Sequence, residues 1–176
     1  MNNYGKLIDS NTLQFERVLP GSRERVWQYL VDAEKRSLWF AGGPTDLSPN
    51  GRMELHFHNS TLSEIPDPTP EKYQEYGDGY QSFATILEVK EPELLKIKWE
   101  EGLVTFSLED LGNGETKLTL THERLQDTDE YKIGTLAGWH THLDILSDHF
   151  HGAEIKGFWK VHMQLEEEYT GLLPKA

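Results

Sequence analysis

The chain has 176 residues, 36% hydrophobic and 11% aromatic, which suits one domain with a real apolar core. Lys and Arg number 17 against 30 Asp and Glu, a formal net charge of -13 that repels nucleic acid and anionic membrane surfaces. Cysteine is absent, which excludes disulfides, thiolate catalysis and thiolate metal sites.

Residues 1–11 read as a loose tail. The N-terminus has no basic start followed by an apolar run, so no signal peptide is expected, and no segment approaches a bilayer span; a cytoplasmic protein is the expectation. LQFERVL (13–19) is a strand with Leu13, Phe15 and Leu19 on one side and Arg17 interrupting that face. Pro20 and Gly21 end it. Ser22 can cap a helix over about 23–31, whose apolar stripe is Val26, Trp27 and Leu30. A second short helix over Glu34 to Leu38 leads into Trp39 and Phe40.

Gly, Pro, Asp and Asn make 41–51 a loop. RMELHFH (52–58) alternates, with Met53, Leu55 and Phe57 facing one way and Glu54, His56 and His58 the other. Residues 59–79 carry Pro66, Pro68 and Pro70 at alternate positions, which disfavours both helix and ladder pairing. This is a long loop, a lid or a disordered segment. Strands follow at 80–89, 94–100, 104–110 and 115–123, with Gly112, Asn113 and Gly114 a strong hairpin signal. Leu95, Ile97 and Trp99 share one face, as do Val104, Phe106 and Leu108, and Leu118, Leu120 and His122.

From about Lys132 to His149 the period becomes helical, with Leu136, Trp139, Leu143, Leu146 and Phe150 in one stripe. Gly134 and Gly138 sit one turn apart and permit close approach of the sheet or of a ligand. A shorter helix over about 155–168 follows, and Pro174 falls in the tail. The expected architecture is α+β, one domain over 1–176. A curved antiparallel sheet of six strands packs on a long C-terminal helix, with two short helices after the first strand and an appended helix and tail over 153–176. Such a sheet gripping one helix can leave a cavity between them.

The stretch VLPGSRERVWQYLVDAEKRSLWF (18–40) and the stretch GTLAGWHTHLDILSDHFHG (134–152) together resemble the START-like (SRPBCC) superfamily with the helix-grip fold. They are most similar to the branch related to the activator of the Hsp90 ATPase. The resemblance rests on the run Pro20 through Val26, on Trp39 closing the second short helix, and on a Gly-Trp start to the long helix at Gly138 and Trp139. It implies a protein that holds a hydrophobic small molecule between sheet and helix, as lipid carriers, polyketide cyclases and plant hormone-binding proteins do. The eukaryotic namesake stimulates Hsp90 and has an additional N-terminal domain, for which this chain leaves no room.

Aromatic walls with few polar groups suit a flat or lipid-like ligand. Trp39 and Phe40 come from the short helices, and Phe57, Trp99 and Phe106 from inward sheet positions. Trp139, Leu143 and Leu146 come from the long helix. An ordinary packed core would use the same residues. His122 points with Leu118 and Leu120 toward the enclosed space, where it is a ligand contact or the candidate catalytic group of a cyclase- or hydrolase-like enzyme. A co-chaperone-like interaction domain is the third reading.

No metal site is expected. His56 and His58, two apart on a strand face beside Glu54, read as solvent-facing. His142 and His149 read as a solvated helix face, His140 and His151 point elsewhere, and Asp144 and Asp148 find no third ligand. No G-x-S-x-G elbow and no phosphate-binding glycine loop appears. The expected partner is a small hydrophobic or aromatic molecule, with no cofactor, nucleic acid or membrane, and with a protein partner or a dimer left open.

Overall fold

Ser22 accepts a hydrogen bond from the Arg25 N–H at 3.2 Å and so starts helix α1 (Arg23–Val31). Asp32 does the same for α2 (Ala33–Ser37) through the Lys35 N–H at 3.1 Å. These two helices connect opposite edges of one sheet in the computed structural model, which describes residues 3–173. Met1, Asn2 and the Pro174 end of the tail lie outside the described residues.

The strands are β1 (Lys6–Asp9), β2 (Thr12–Pro20), β3 (Ala41–Gly42), β4 (Arg52–Phe57), β5 (Tyr80–Lys90), β6 (Leu94–Trp99), β7 (Gly102–Asp110) and β8 (Glu115–Glu123). Their order is β1-β2-β8-β7-β6-β5-β4-β3, antiparallel throughout. The chain enters at one edge, crosses to the other through α1 and α2, and returns by successive hairpins until β8 lies beside β2.

The sheet thus has eight strands rather than the expected six. Both additions are edge strands without a readable period. Part of the expected loose tail is β1, which pairs with β2 through a bulge between Leu7 and Asp9. The other, β3, is two residues inside the glycine-rich loop.

The long helix α3 (Asp129–His151) covers the sheet's apolar face. Thr128 caps it by accepting from the Tyr131 N–H at 3.2 Å, Asp129 and Glu130 complement its positive end, and Gly152 ends it at φ 65°. Leu136, Trp139, Leu143, Leu146 and Phe150 are buried as their spacing predicts, but so are His140, Thr141, His142 and Ile145. The reason is α4 (Phe158–Leu172), which packs on the other side of α3.

Residues 59–79 have fixed structure, with 3-10 turns at Asn59–Thr61 and Glu71–Tyr76. The α4 N-cap position is Gly157, which has no side chain to offer. Asp67 of the loop supplies the missing cap, its two oxygens accepting from the Trp159 N–H at 2.9 Å and the Lys160 N–H at 3.3 Å. A Cβ at Gly157 would meet the Asp67 carboxyl carbon at 2.9 Å, so only glycine admits the contact.

Arg36 of α2 is 2% exposed, a buried cation that periodicity gives no reason to expect. Its Nε donates to Ala41 O at 2.7 Å, one Nη to Leu30 O and Thr45 Oγ1, and the other to Gly43 O and Glu54 O. Burial pulls its pKa down to about 10, still well above neutrality, so the guanidinium stays charged and pins the 41–45 loop against β4.

Candidate functional site

At one end of the sheet, α3, α4 and the 59–79 segment do not close on the strands. They leave a cavity of about 1040 Å³. Register explains its position. Phe57 pairs with Tyr80, Trp99 with Gly102, and Val104 with His122, so Phe57, Tyr80, Trp99 and His122 all reach the same end. Helix α3 supplies Tyr131, Gly134, Gly138, Trp139 and His142. Phe158, Trp159, His162 and Glu166 of α4 close the far wall, with Lys72, Tyr73 and Tyr76 from the 59–79 segment.

Of the nine residues expected to contact a ligand, Phe40, Phe57, Trp99, His122 and Trp139 line this space. Phe40 stacks on Trp139 at 5.0 Å between ring centroids, and Phe57 on Trp99 at 5.7 Å. Trp39, Phe106, Leu143 and Leu146 are packed in the core away from it. Both helix glycines face it. A Cβ at Gly134 would meet nothing within 4 Å, and one at Gly138 only His162 Cε1 at 3.9 Å.

His122 is buried, and its Nδ1 accepts the Trp139 indole N–H at 2.9 Å. The neutral ring therefore keeps its proton on Nε2. That edge is in close contact with Gly102, where a Cβ would sit 2.4 Å from Nε2. Burial pushes the His122 pKa down to about 4, so the ring is a neutral hydrogen-bonding group at pH 7 rather than an imidazolium.

The expectation of a solvated histidine face on α3 is corrected by α4. His142 is 5% exposed, its Nδ1 lies 2.7 Å from Trp39 O, and it contacts the Phe158 ring at 4.7 Å. A carbonyl can only accept, so Nδ1 carries the proton and Nε2 a lone pair. Burial drives its pKa to about 3. His140 is also buried, against Tyr169 Oη at 2.7 Å and Asp144 at 3.3 Å. Asp144 also finds the inward-facing Arg17, whose Nη2 lies 2.9 Å from it. Burial alone would raise the Asp144 pKa; the His140 and Arg17 contacts outweigh it and lower it. His149 meets Leu38 O at 3.1 Å outside the cavity. His56 lies 4.0 Å from Glu54, His58 is exposed, and no group of three or more metal-ligating side chains occurs among the described residues.

A polar cluster on the far wall was not legible in the sequence. Glu166 of α4 accepts from Tyr73 Oη, from Lys72 Nζ at 3.2 Å, and from His162 Nε2 at 3.1 Å. Burial would raise the Glu166 pKa, but the hydrogen bonds from His162 and Tyr73 prevail and hold it at about 2. The only local signal is the His162–Glu166 spacing of one helical turn; Lys72 and Tyr73 arrive from far along the chain.

The profile described as activator of Hsp90 ATPase homolog 1-like protein matches residues 20–151, which span α1 through α3. The chain belongs to this family. It has the helix-grip fold of the START-like superfamily. A protein of this family fold from Bordetella parapertussis, solved by NMR, is 33% identical, with a TM-score of 0.80 over 99% of this chain and 92% of that one. Two more distant structures share the fold. A conserved protein of unknown function from Enterococcus faecalis is 17% identical, with a TM-score of 0.66 over 97% of this chain and 91% of that one. CalU16 from Micromonospora echinospora is 18% identical, with a TM-score of 0.64 over 96% and 94%. No functionally curated protein sequence matches the chain. No helix among the described residues is long and apolar enough to cross a membrane.

Proposed function

We propose that this family member binds a small hydrophobic or aromatic molecule between the end of the sheet and helices α3 and α4. The observation that carries this reading is the cavity itself. About 1040 Å³ is lined by stacked aromatic rings, and two helix glycines hold it open where larger side chains would fill it. The space is open to solvent and its lining mixes aromatic faces with polar groups, so a bound apolar body would remove aromatic surface from water. His122 and His142 are neutral at pH 7 and present fixed tautomers, which suits orientation of a polar group on the ligand.

The test is native mass spectrometry on protein purified from its own host under non-denaturing conditions, followed by extraction and by titration of candidate aromatics against tryptophan fluorescence. A retained hydrophobic mass that competes with the titrated aromatics is the expected result. A chain that carries nothing and takes up no aromatic probe would sink the reading.

A further inference from the structure

Hydrogen bonds divide α4 in two. Among the described residues, every bond from its first half to another element goes to the 59–79 segment. The Trp159 indole N–H donates to Ser60 Oγ at 2.8 Å, and the same ring stacks on Tyr73 at 5.0 Å. Asp67 holds the Trp159 and Lys160 N–H groups, and Glu166 holds Lys72 and Tyr73. Just before the helix, Ser63 Oγ donates to Ile155 O at 2.8 Å. The second half is tied elsewhere. Tyr4 donates to Glu168, and Tyr169 Oη accepts the Gly5 N–H at 2.8 Å and lies 2.7 Å from His140 of α3.

The segment holds to the sheet only where it enters and leaves it. Phe57 and Tyr80 pair across β4 and β5, and the segment's one side-chain bond toward the sheet runs back from Thr61 to His58 O at 3.1 Å. Against α3, the first half of α4 has ring contact without a hydrogen bond, with Phe158 on His142 at 4.7 Å. Gly134 and Gly138 put no side chain in its way there. The linker from α3 begins at Gly152 with φ 65°, and residues 152–154 are exposed.

We infer that the 59–79 segment and the first half of α4 form one door over the cavity, which pivots at Tyr169 and at 152–154 and swings off α3 as a unit to admit the ligand. This rests on the reading of the cavity as a ligand site and adds how that site opens. A lid made of 59–79 alone would have to break the Asp67 cap, the Ser60 bond and the Glu166 contacts at once. The door keeps all of them and gives up only the ring contact on α3, so it is the cheaper opening.

The chain has no cysteine, so introduced pairs report without interference. A Cβ at Gly157 would lie 3.2 Å from Asp67 Cβ, a few tenths of an ångström under the disulfide range of about 3.5–4.5 Å. D67C/G157C therefore staples the segment to α4, and neither position lines the cavity. Stopped-flow uptake of 2-naphthol, followed by tryptophan fluorescence, should run within about twofold at the same rate in the oxidised and reduced forms. Slowing by about tenfold or more on oxidation, restored by reduction, shows that the segment opens alone and overturns the door. Spin labels read the motion itself. E64C/K160C, both within the door, should give one narrow distance, while K98C/K160C, from sheet to door, should give a broader distribution that narrows when 2-naphthol binds. A sheet-to-door distance as narrow as the one within the door, in the free protein, also overturns the inference and leaves the cavity reading standing. If 2-naphthol does not bind, the cavity reading loses its support, and the label distances of the free protein still decide whether the door moves.

Discussion

The Trp139 indole N–H donates to His122 Nδ1 at 2.9 Å, joining the long helix to the last strand at the cavity wall. This contact fixes the His122 tautomer and turns both rings into wall rather than mobile side chains. Trp139→Phe keeps most of the ring volume and strands the His122 lone pair. The expected cost is about 1–3 kcal/mol, the price of an unsatisfied buried acceptor plus some lost packing. Urea denaturation measures it, and nitrogen-15 shifts of His122 should show a mixture of tautomers where the parent shows the Nε2–H form alone.

Acid sensitivity should begin above the carboxylate range. The folded pKa values of His122 and His142 are pushed down to about 4 and about 3, against 6.5 for an ordinary histidine. The unfolded chain therefore binds protons first as pH falls. Stability is fully present above pH 6.5 and is lost progressively toward pH 4, by on the order of 3 kcal/mol or more. A stability profile by denaturant melts should slope downward over that window. His142→Phe should flatten it, and a flat profile in the parent would contradict the burial of these rings as neutral groups.

Glu166 ties the 59–79 segment to α4 through Tyr73 and Lys72. Glu166→Gln removes the charge that makes those bonds strong, so the segment should open more often while the sheet is unaffected. Hydrogen exchange should rise about tenfold or more over 69–77, as for loss of about 1.5–3 kcal/mol of charge-assisted bonding. In the parent, the depressed pKa of Glu166 places the same loosening at low pH. The contribution is intact above the ordinary carboxylate value of 4.5 and disappears as pH falls through about 2.

Gly134 and Gly138 are expected to separate stability from binding. Each lies inside α3, where glycine costs about 1 kcal/mol relative to alanine. Gly134→Leu projects into open space, so the melting temperature should hold or rise while uptake of an aromatic probe falls sharply. A loss of fold together with binding would show that the space is needed for packing.

Arg36→Lys tests the buried guanidinium. Lysine offers three donors from a single nitrogen and cannot span the five acceptors that Arg36 reaches. A loss of about 3 kcal/mol is expected, because a buried cation is left poorly solvated and several carbonyls are left unmet. Chemical denaturation gives the figure, and a change under about 0.5 kcal/mol would contradict the network.

The sequence by itself determined β2, β4, β6, β7, β8, α1 and the inner stripe of α3. In each, burial against one partner imposes a period that the residues must carry. It also marked the Ser22 cap, whose hydroxyl accepts an orphan backbone N–H, and the hairpin at Gly112–Gly114, where three successive positive φ angles favour glycine and asparagine. Only the tertiary structure decided what depends on two distant segments meeting. Helix α4 buries the second side of α3, so His142, which reads as part of a solvated face, became an interior group, and His140 with it. Asp67 caps α4 from the proline-rich segment, a bond between chain positions no local pattern relates. Strand parity told which side Phe57, Trp99, Phe106 and His122 face, but not how far along the sheet each lies. Phe57, Trp99 and His122 end their strands at the open end and line a cavity, while Phe106 sits farther along β7 and packs. Parity is a local property of the backbone, and position along a shared sheet follows only from register.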